Sequence, residues 1–296
     1  MITTLSAKTP VIVQGITGRM GRTHAGLMRA YGTNMVGGTS TRAMPEGVDG
    51  MPVFASCAAA AAATGAVGSV VMAPPDGTRA AVEEALAAGI KLLVTPAEGV
   101  PVHDAIAIGR AVRAAGATWV GASNPGLAVP GEMKMGFLPD VCLAPGPVAI
   151  MSKSGTLSYE VGYRLVRAGL GQSLWIGVGG DAVKGVRFAD LLAPFNADPR
   201  TFAIALIGEV GGVEEEEFSD VLVSTPHSKP VYALIAGREA KEGVAMGHAG
   251  ALTYGASGTI TTKTERLTAA GARVFASIES MIQAMTADLA AHRRTG

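Results

Sequence analysis

The sequence predicts an α/β protein built on parallel strands. Short β-branched runs alternate with longer alanine-rich segments, which is the pattern of strands joined by crossover helices. The strand candidates are continuously apolar, as expected for strands buried on both faces. Glycines follow most of the helical segments, where a left-handed residue commonly ends a helix.

Five strand candidates belong to a first domain, predicted over 1–144. They are Val11–Val13, Met35–Val36, Ser69–Met72, Lys91–Val94 and Thr118–Val120. The stretch 121–146 is interrupted by prolines and glycines, so it is predicted to be a linker at the C-terminal end of this domain.

The alternation resumes in a second α/β domain, predicted over 145–296. Its strand candidates are Val148–Met151, Leu174–Val178, Phe202–Ile207, Val231–Ile235 and Arg273–Phe275. A closing helix is expected from about Glu279.

Composition narrows the class of protein. The 296 residues carry 24 Lys and Arg against 24 Asp and Glu, and only 5% are aromatic, which argues against a nucleic-acid partner. The two cysteines, Cys57 and Cys142, are too few for a disulfide framework, and no metal site is predicted. No secretory signal or membrane span is recognisable, so a cytoplasmic enzyme or binding protein is expected.

A glycine loop after the first strand is predicted to bind an anion. Gly15, Gly18 and Gly21 lie between this strand and a helical stretch that runs to Tyr31. The first glycine permits a tight turn, the second lets the backbone approach an anion, and the third allows close helix packing. The alternative is a glycine-rich turn without a ligand.

The end of the second strand bears on the nucleotide. An NAD site expects an acidic residue there, but this chain has Ser40, Thr41 and Arg42. Hydroxyls and a guanidinium suit a ribose phosphate, which both NADP and CoA carry. A reductase and a CoA-using enzyme therefore remain open.

The second half offers a candidate for a reactive histidine, for which a packed core or capping residue is the alternative. Glycines flank His248 within Met246–Ala251, and Glu209 follows a hydrophobic strand. A carboxylate that accepts one ring N–H fixes the tautomer and makes the opposite nitrogen the nucleophile. The glutamate run 214–217 is expected to be a solvated helix start.

A second helix start is predicted after the strand Val148–Met151. Ser154, Gly155 and Thr156 open this helix, and the hydroxyls nearby exceed what capping needs. The turn is therefore predicted to hold an anion.

These residues resemble the α subunit of succinyl-CoA synthetase (succinate–CoA ligase) and of malate–CoA ligase, over nearly the whole length. The motifs that carry the resemblance are Gly15–Gly18, Ala30–Thr33, Ala97–Gly99, Ser152–Glu160, Gly179–Asp181, Gly208–Gly212 and Met246–Ala251. The resemblance implies a Rossmann-like CoA-binding domain followed by a flavodoxin-like ligase domain.

The resemblance also implies residue roles. His248 is expected to be the phosphorylated nucleophile, oriented by Glu209, with Ser154, Gly155 and Thr156 holding the phosphate. The acid is expected near Tyr159, Ser123 and Asn124. CoA is expected to be bound by Thr17, Gly18, Arg19, Met20, Arg42, Pro96, Ala97 and Glu98.

A second chain is implied as well. In such enzymes a β subunit of the ATP-grasp type binds ATP or GTP with Mg²⁺, which agrees with the lack of a Gly-x-x-x-x-Gly-Lys-Ser/Thr loop here. The assembly is expected to be αβ or α2β2.

Two motifs depart from the family pattern. The usual lysine after the second strand is Ala43, beside Arg42, and the usual Gly-Pro-Asn-Cys-Pro-Gly reads Gly121-Ala122-Ser123-Asn124-Pro125-Gly126. The second change bears on the acid, since a small carboxylate site discriminates through few hydrogen bonds. Succinate or a related dicarboxylate is expected, with malate or another short acid as the alternative.

Two other readings remain. The segment Gly18–Arg22 also resembles the opening of dihydrodipicolinate reductase, an NAD(P)-dependent enzyme, but the second half carries none of that family's motifs. A regulatory CoA-sensing protein without catalysis is the third reading, and the presence of His248 and Glu209 argues against it.

Overall fold

The structure is a computed structural model that describes residues 2–237, 248, 251 and 258–295, with side chains as far as residue 291. The chain forms two compact units. Unit 1 comprises Met1–Leu138 and Gly177–Val186, and unit 2 comprises Pro139–Ile176 and Arg187–Gly296. Segment 177–186, within the second predicted domain, thus belongs to unit 1, and the domain boundary at 144/145 stays a prediction.

Unit 1 contains a sheet in the order β3-β2-β1-β4-β5-β6, with parallel neighbours throughout. The order reverses between β1 and β4, which is the switch point of a Rossmann-like fold. The strands are β1 Val11–Gln14, β2 Met35–Thr39, β3 Val53–Phe54, β4 Gly68–Val71, β5 Leu92–Thr95 and β6 Thr118–Gly121, and the helices are α1 Arg19–Tyr31, α2 Cys57–Thr64, α3 Thr78–Ala87 and α4 Val102–Ala114.

The predicted linker 121–146 is wrong in one respect, because it contains a β-hairpin. Strands β7 Gly126–Val129 and β8 Met133–Gly136 pair antiparallel and are buried along their whole length. The hairpin is held by Thr33, whose Oγ1 donates to the carbonyl of Lys134 at 2.7 Å and accepts from its N–H at 3.0 Å. Prolines and glycines that suggested irregular chain lie at the turn and the strand ends.

Unit 2 contains strands in the order β13-β12-β11-β9-β10, and the pairs β13–β12, β12–β11 and β11–β9 are parallel. Counted along the chain this is the flavodoxin-like order 2-1-3-4-5, with its switch point between β9 and β11. The predicted α/β fold class is confirmed for both units. The strands are β9 Pro145–Ser152, β10 Gln172–Gly177, β11 Ala203–Glu209, β12 Val231–Ala236 and β13 Arg273–Phe275, and the helices are α5 Gly155–Arg167, α6 Phe188–Ala197, α7 Glu214–Ser224, α8 Ile260–Ala269 and α9 Ile278–Thr295.

The glutamates at the start of α7 differ from expectation. Glu214, Glu215 and Glu216 are buried, so the prediction of a solvated helix start is wrong for these three. Lys153 and Lys263, also buried, lie among them and provide the compensating charge. Within the described residues, no helix combines the length and apolar character needed to cross a bilayer.

Candidate active site

The switch point of unit 2 brings two predicted site elements together. Strand β9 leads into α5, whose first turn begins at Gly155, and the neighbouring strand β11 ends at Glu209. Parallel strands place their carboxyl ends at one edge of a sheet, so residues far apart in sequence meet there.

His248 and Glu209 form a direct pair. His248 Nδ1 lies 2.7 Å from Glu209 Oε2, with the histidine side chain about a quarter exposed and Glu209 buried. Because the carboxylate accepts, Nδ1 carries the proton in the neutral ring and Nε2 keeps its lone pair. Residues 246, 247, 249 and 250 of the glycine-flanked motif lie outside the described residues.

Some hydroxyls at the start of α5 are hydrogen-bonded within the chain, and one is exposed. Ser154 caps the helix by accepting from the Leu157 N–H at 3.2 Å, while Ser152 and Ser158 donate to backbone carbonyls. Thr156 is the exposed hydroxyl of the turn. The first N–H groups of a helix have no partner within it, so this turn offers donors to an anion.

One cavity of about 490 Å³ unites these groups. It holds the histidine pair together with two of the three residues predicted to hold phosphate. Its lining residues are Ser154, Thr156, Leu157, Glu160, Glu209, Val210, Ala236, Gly237, His248 and Ala251.

Tyr159 lies elsewhere in unit 2. Its ring packs at a tilt against Trp175, with 6.4 Å between centroids, and it is not among the residues that line the cavity. Burial raises the pKa of the Tyr159 hydroxyl, which keeps it protonated. Its expected role near the acid therefore stays a prediction.

Unit 1 has a cavity of its own, about 510 Å³, at the sheet's switch point. It gathers most of the residues predicted to bind CoA, and it adds the loop after β4 and Phe137, which sequence reasoning missed. Its lining residues are Gly18, Arg19, Met20, Gly21, Val71, Met72, Ala73, Pro74, Pro96, Ala97, Glu98 and Phe137.

The backbone of this cavity suits a phosphate-bearing ligand. A Cβ at Gly21 would lie 2.1 Å from the Gly15 carbonyl oxygen, and Gly15 itself has φ +77°. Only glycine therefore allows α1 to start this close to the turn, and the N–H groups and dipole of a helix start favour an anion. The loop after β4 could have been anticipated, because it follows a strand beside the switch point.

Two predicted CoA residues, Thr17 and Arg42, do not belong to the lining of this cavity. Thr17 shares a hydrogen bond of 2.8 Å with Ser40, whose Oγ also accepts the Arg42 N–H at 3.0 Å. Arg42 is exposed at the end of β2.

Ser123 and Asn124 belong to a tightly bonded loop after β6. The Asn124 side chain donates to the carbonyls of Thr95 and Val120 and accepts from the Gly126 N–H at 2.6 Å. These bonds commit the amide to shaping the loop. The backbone of Ser123 has φ +52°, and its N–H donates to the Ala97 carbonyl.

Comparison with known proteins assigns the family. A family model described as a CoA binding domain matches residues 6–99, and one described as CoA-ligase matches residues 151–273. The α subunit 2 of an ADP-forming succinate–CoA ligase from Archaeoglobus fulgidus is 42% identical, over 90% of this chain and 92% of its own length. The chain belongs to the succinate–CoA ligase α-subunit family.

The relatives in this family of acid–thiol ligases differ in their acids. The SauD subunit of an ADP-forming sulfoacetate–CoA ligase from Bilophila wadsworthia is also 42% identical, over 89% of this chain and 91% of its own length. Sequence identity over the whole chain therefore does not show which acid this protein uses.

Among solved structures, ATP citrate lyase from Methanothrix soehngenii, in complex with citrate and coenzyme A, shares the fold. The TM-score is 0.86 at 22% identity, covering 98% of this chain. The present chain spans about half of that longer one, 51% of its length.

The family assignment removes the reductase reading of the first glycine loop. It also gives each cavity its own match. Gly18–Gly21 and Pro96–Glu98 fall within the CoA-binding model, and Ser154, Glu209 and His248 fall within the CoA-ligase model.

Proposed function

We propose that this chain is the α subunit of a nucleoside-diphosphate-forming acyl-CoA ligase that joins a short carboxylic acid to CoA through phosphorylated His248 and an acyl phosphate. Succinate or a related dicarboxylate is the proposed acid, with malate or another short acid as the alternative. The observation that carries the proposal is the His248–Glu209 pair, 2.7 Å apart, in one cavity with the start of α5.

The His248 ring supplies the nucleophile. Its Nε2 lone pair forms a bond to the γ-phosphorus of the nucleotide while the bond to the leaving diphosphate oxygen breaks. The phosphoryl group then passes from Nε2 to a carboxylate oxygen of the acid, which returns the ring to its neutral state. Attack of the CoA thiolate on the acyl carbon releases inorganic phosphate and completes the thioester.

Charge in the cavity favours the phosphorylated ring. Phosphorylation at Nε2 places positive charge on the imidazole, and the Glu209 carboxylate at Nδ1 stabilises that charge. The phosphoryl oxygens are anionic, so the first turn of α5 supplies fixed donors and the positive end of a helix dipole. Ser154, Gly155 and Thr156 hold the group in this turn.

CoA is proposed to bind in the unit 1 cavity, which fits the chemistry of a phosphate-bearing ligand. The first turn of α1, at Gly18–Met20, faces its phosphates, and Pro96–Glu98 line the opposite loop. Arg42 and Thr17 would contribute a cation and a hydroxyl from the neighbouring turn. CoA brings the thiol, and these residues orient it.

The nucleotide is proposed to be bound by a β subunit of the ATP-grasp type, with Mg²⁺, in an αβ or α2β2 assembly. The Archaeoglobus relative is named as an α subunit and as ADP-forming, which supports this partner. Within the described residues, no cluster of His, Cys, Asp or Glu side chains is arranged to hold a metal ion.

Labelling tests the histidine. The two-chain enzyme, incubated with γ-labelled nucleotide, should acquire an acid-labile, base-stable label on this chain, and His248→Ala should remove it. If the label persists in His248→Ala, His248 is not the phosphorylated nucleophile.

A substrate panel tests the acid. Thioester formation is scored with succinate, malate, sulfoacetate and shorter hydroxy acids, using the purified two-chain enzyme. Succinate or malate should be preferred, and a clear preference for sulfoacetate or a monocarboxylate contradicts the proposed dicarboxylate. Ser123→Gly, which relieves a positive φ while leaving Asn124 in place, should change the ranking if this loop contacts the acid.

A further inference from the structure

Beneath the His248–Glu209 pair lies a buried cluster that the proposed chemistry does not use. Its central member is Glu215, which is fully buried at the start of α7. Lys153 Nζ lies 2.9 Å from Glu215 Oε1, and Lys263 Nζ bonds Glu215 Oε2. Glu214 and Glu216, which are also buried, lie 3.9 Å from Lys153 Nζ and 3.0 Å from Lys263 Nζ, respectively. Burying five charged groups is costly unless they are paired and hydrogen-bonded.

Glu215 contacts the strand that carries Glu209. Its Oε1 accepts the backbone N–H of Glu209 at 3.0 Å. The carboxylate approaches so closely that a Cβ at Gly208 would lie 2.5 Å from the same oxygen. The glycine before Glu209 thus leaves the space that this carboxylate occupies.

The same cluster holds the segment that follows. Lys263 Nζ donates to the Gly212 carbonyl at 3.0 Å. Between these two side-chain contacts, the N–H groups of Val210 and Gly211 donate to the carbonyls of Ala236 and Gly258 at 2.9 and 2.8 Å. Residues 209–212 are therefore held at both ends by one ionic cluster.

Charge maintains the contact. Burial alone would raise the pKa of Glu215, but the positive charges of Lys153 and Lys263 outweigh it and lower the pKa below its usual value. Burial likewise opposes the charged form of Lys153, yet the surrounding carboxylates, Glu215 foremost, raise its pKa. An ionised carboxylate accepts a stronger hydrogen bond from a backbone N–H than a neutral acid does.

We infer that Glu215, held between Lys153 and Lys263, is a positioning residue that keeps the Glu209 carboxylate against His248 Nδ1 and thereby presents Nε2 to the phosphoryl donor. This inference deepens the proposed function and rests on it. Glu215 acts through Glu209 and touches no substrate. A nucleophile whose orientation depends on a second carboxylate loses rate when the support of that carboxylate is removed.

The first test reads the ring itself, in the full chain without nucleotide. Nitrogen chemical shifts of isotope-labelled histidine report which ring nitrogen carries the proton, and His248→Asn identifies the signal among the five histidines. In the wild type, the Nδ1–H tautomer should dominate because Glu209 accepts from it. Glu215→Ala should lower its population toward the value found in Glu209→Gln.

The second test reads the reaction, in the two-chain enzyme. Glu215→Ala should slow phosphorylation of His248 by about tenfold to a hundredfold, the range typical of residues that orient a reactive group. CoA binding, measured by calorimetry, should be unchanged because its proposed residues lie in unit 1. The matched control is Asp198→Asn, which removes another buried carboxylate of unit 2, paired with Arg200 at 2.9 Å.

A merely structural role predicts a different pattern. Asp198→Asn should lower the unfolding temperature while leaving the tautomer and the labelling rate as in the wild type. If Glu215→Ala leaves the tautomer unchanged, or if Asp198→Asn shifts it equally, the inference is overturned. Should Glu215→Ala fail to fold, Glu215→Gln takes its place, and a wild-type tautomer there overturns the inference as well.

The two proposals fail in distinguishable ways. A wild-type enzyme that acquires no histidine label with any nucleotide contradicts the proposed function. A wild-type enzyme that labels normally, beside a Glu215→Ala variant that labels at the same rate, contradicts only the positioning role.

Discussion

The two cavities occupy equivalent places in their units but are built differently. Each lies at the switch point of a parallel sheet, and each is lined by the start of a helix, α1 in unit 1 and α5 in unit 2. In unit 1 the cavity is bordered by glycine backbone, with exposed side chains such as Arg19 around it. In unit 2 a hydrogen-bonded histidine and glutamate lie above buried charges.

This difference matches the two roles proposed for the cavities, ligand binding in unit 1 and covalent chemistry in unit 2. Backbone N–H groups and a helix dipole hold an anion without forming a bond to it. A covalent phosphoryl step needs a nucleophile whose lone pair and orientation are fixed by neighbours. In the proposed function, the same topological position serves two purposes, depending on whether a supported titratable pair is added to it.

The largest expected effect removes the charge from the unit 2 pair. Glu209→Gln keeps an oxygen near His248 Nδ1 but loses the negative charge that stabilises the modified ring, so phosphorylation should slow by about a hundredfold to ten-thousandfold. Label formation in the two-chain enzyme measures this. Calorimetric titration with CoA is the control, because CoA affinity should not change. An equal loss of CoA affinity would contradict the assignment of binding and chemistry to different units.

The next largest effect is expected from a substitution that fills the space between Gly21 and Gly15 in unit 1. Gly21→Ala places a methyl group 2.1 Å from the Gly15 carbonyl oxygen, so the turn must shift. The shifted turn should weaken CoA binding by about 1–3 kcal/mol of binding free energy, which is about a tenfold to hundredfold loss of affinity. Calorimetric titration with CoA measures it.

Gly26→Ala on the same helix is the matched control for this prediction. No atom lies within 4 Å of its added Cβ. It should leave CoA affinity unchanged and stabilise α1 by up to about 1 kcal/mol. Equal losses of affinity in the two variants would show that the close approach at Gly21 does not govern binding.

A smaller effect concerns acid stability. The pKa of Glu215 is lower in the folded chain than its ordinary value of 4.5. The ionised carboxylate therefore stabilises the fold at pH values above 4.5, and this stabilisation is lost as the pH falls from 4.5 through the lowered pKa. In unit 1, Asp49 also has a lowered pKa, through a hydrogen bond from Arg22, but both side chains are exposed and the contribution is screened.

Each unit contains one of the two tryptophans, Trp119 in unit 1 and Trp175 in unit 2. A variant that keeps only Trp175 reports on unit 2, and a variant that keeps only Trp119 reports on unit 1. As the pH is lowered, the midpoint temperature of unfolding should fall further in the Trp175 variant than in the Trp119 variant. Fluorescence melts between about pH 7 and pH 3 measure both transitions. Midpoints that fall in parallel would contradict a special acid sensitivity of the buried cluster.

The smallest effect separates capping from phosphate binding at α5. Ser154→Ala removes an N-cap bond and should cost about 1 kcal/mol of unfolding free energy. Thr156→Val leaves that cap in place and should slow phosphorylation with no comparable loss of stability. Unfolding curves and label formation on both variants decide between the two roles, and a stability loss confined to Thr156→Val would reverse the assignment.

Local pattern was sufficient for much of the fold. All ten strand candidates overlap observed strands, with bounds that differ by a few residues, because buried parallel strands need continuous β-branched and apolar residues. The hairpin of β7 and β8 was missed, since its Pro130 and Gly131 suggest irregular chain until both flanking strands are seen to be buried. The short strand β3 has only two residues and leaves no periodic signal.

The candidate site was predictable to a similar degree. Glycine spacing indicated the α1 and α5 helix starts, and His248 stood out through its glycine neighbours. The run 214–217 misled, because consecutive carboxylates usually face solvent. Its partners, Lys153 and Lys263, lie 62 and 48 residues from Glu215 along the chain, and nothing local reveals such a pairing.

The sequence by itself determined the α/β class and the glycine turns, and it singled out His248 and Glu209 as candidates, because strand burial, turn geometry and side-chain chemistry are local properties. Only the tertiary structure decided that Glu209 meets His248 Nδ1 and that Glu215 supports the Glu209 backbone. These contacts join residues 39 and 6 positions apart across different elements. They depend on parallel strands bringing their carboxyl ends to one edge and on lysines that offset the cost of burying a carboxylate.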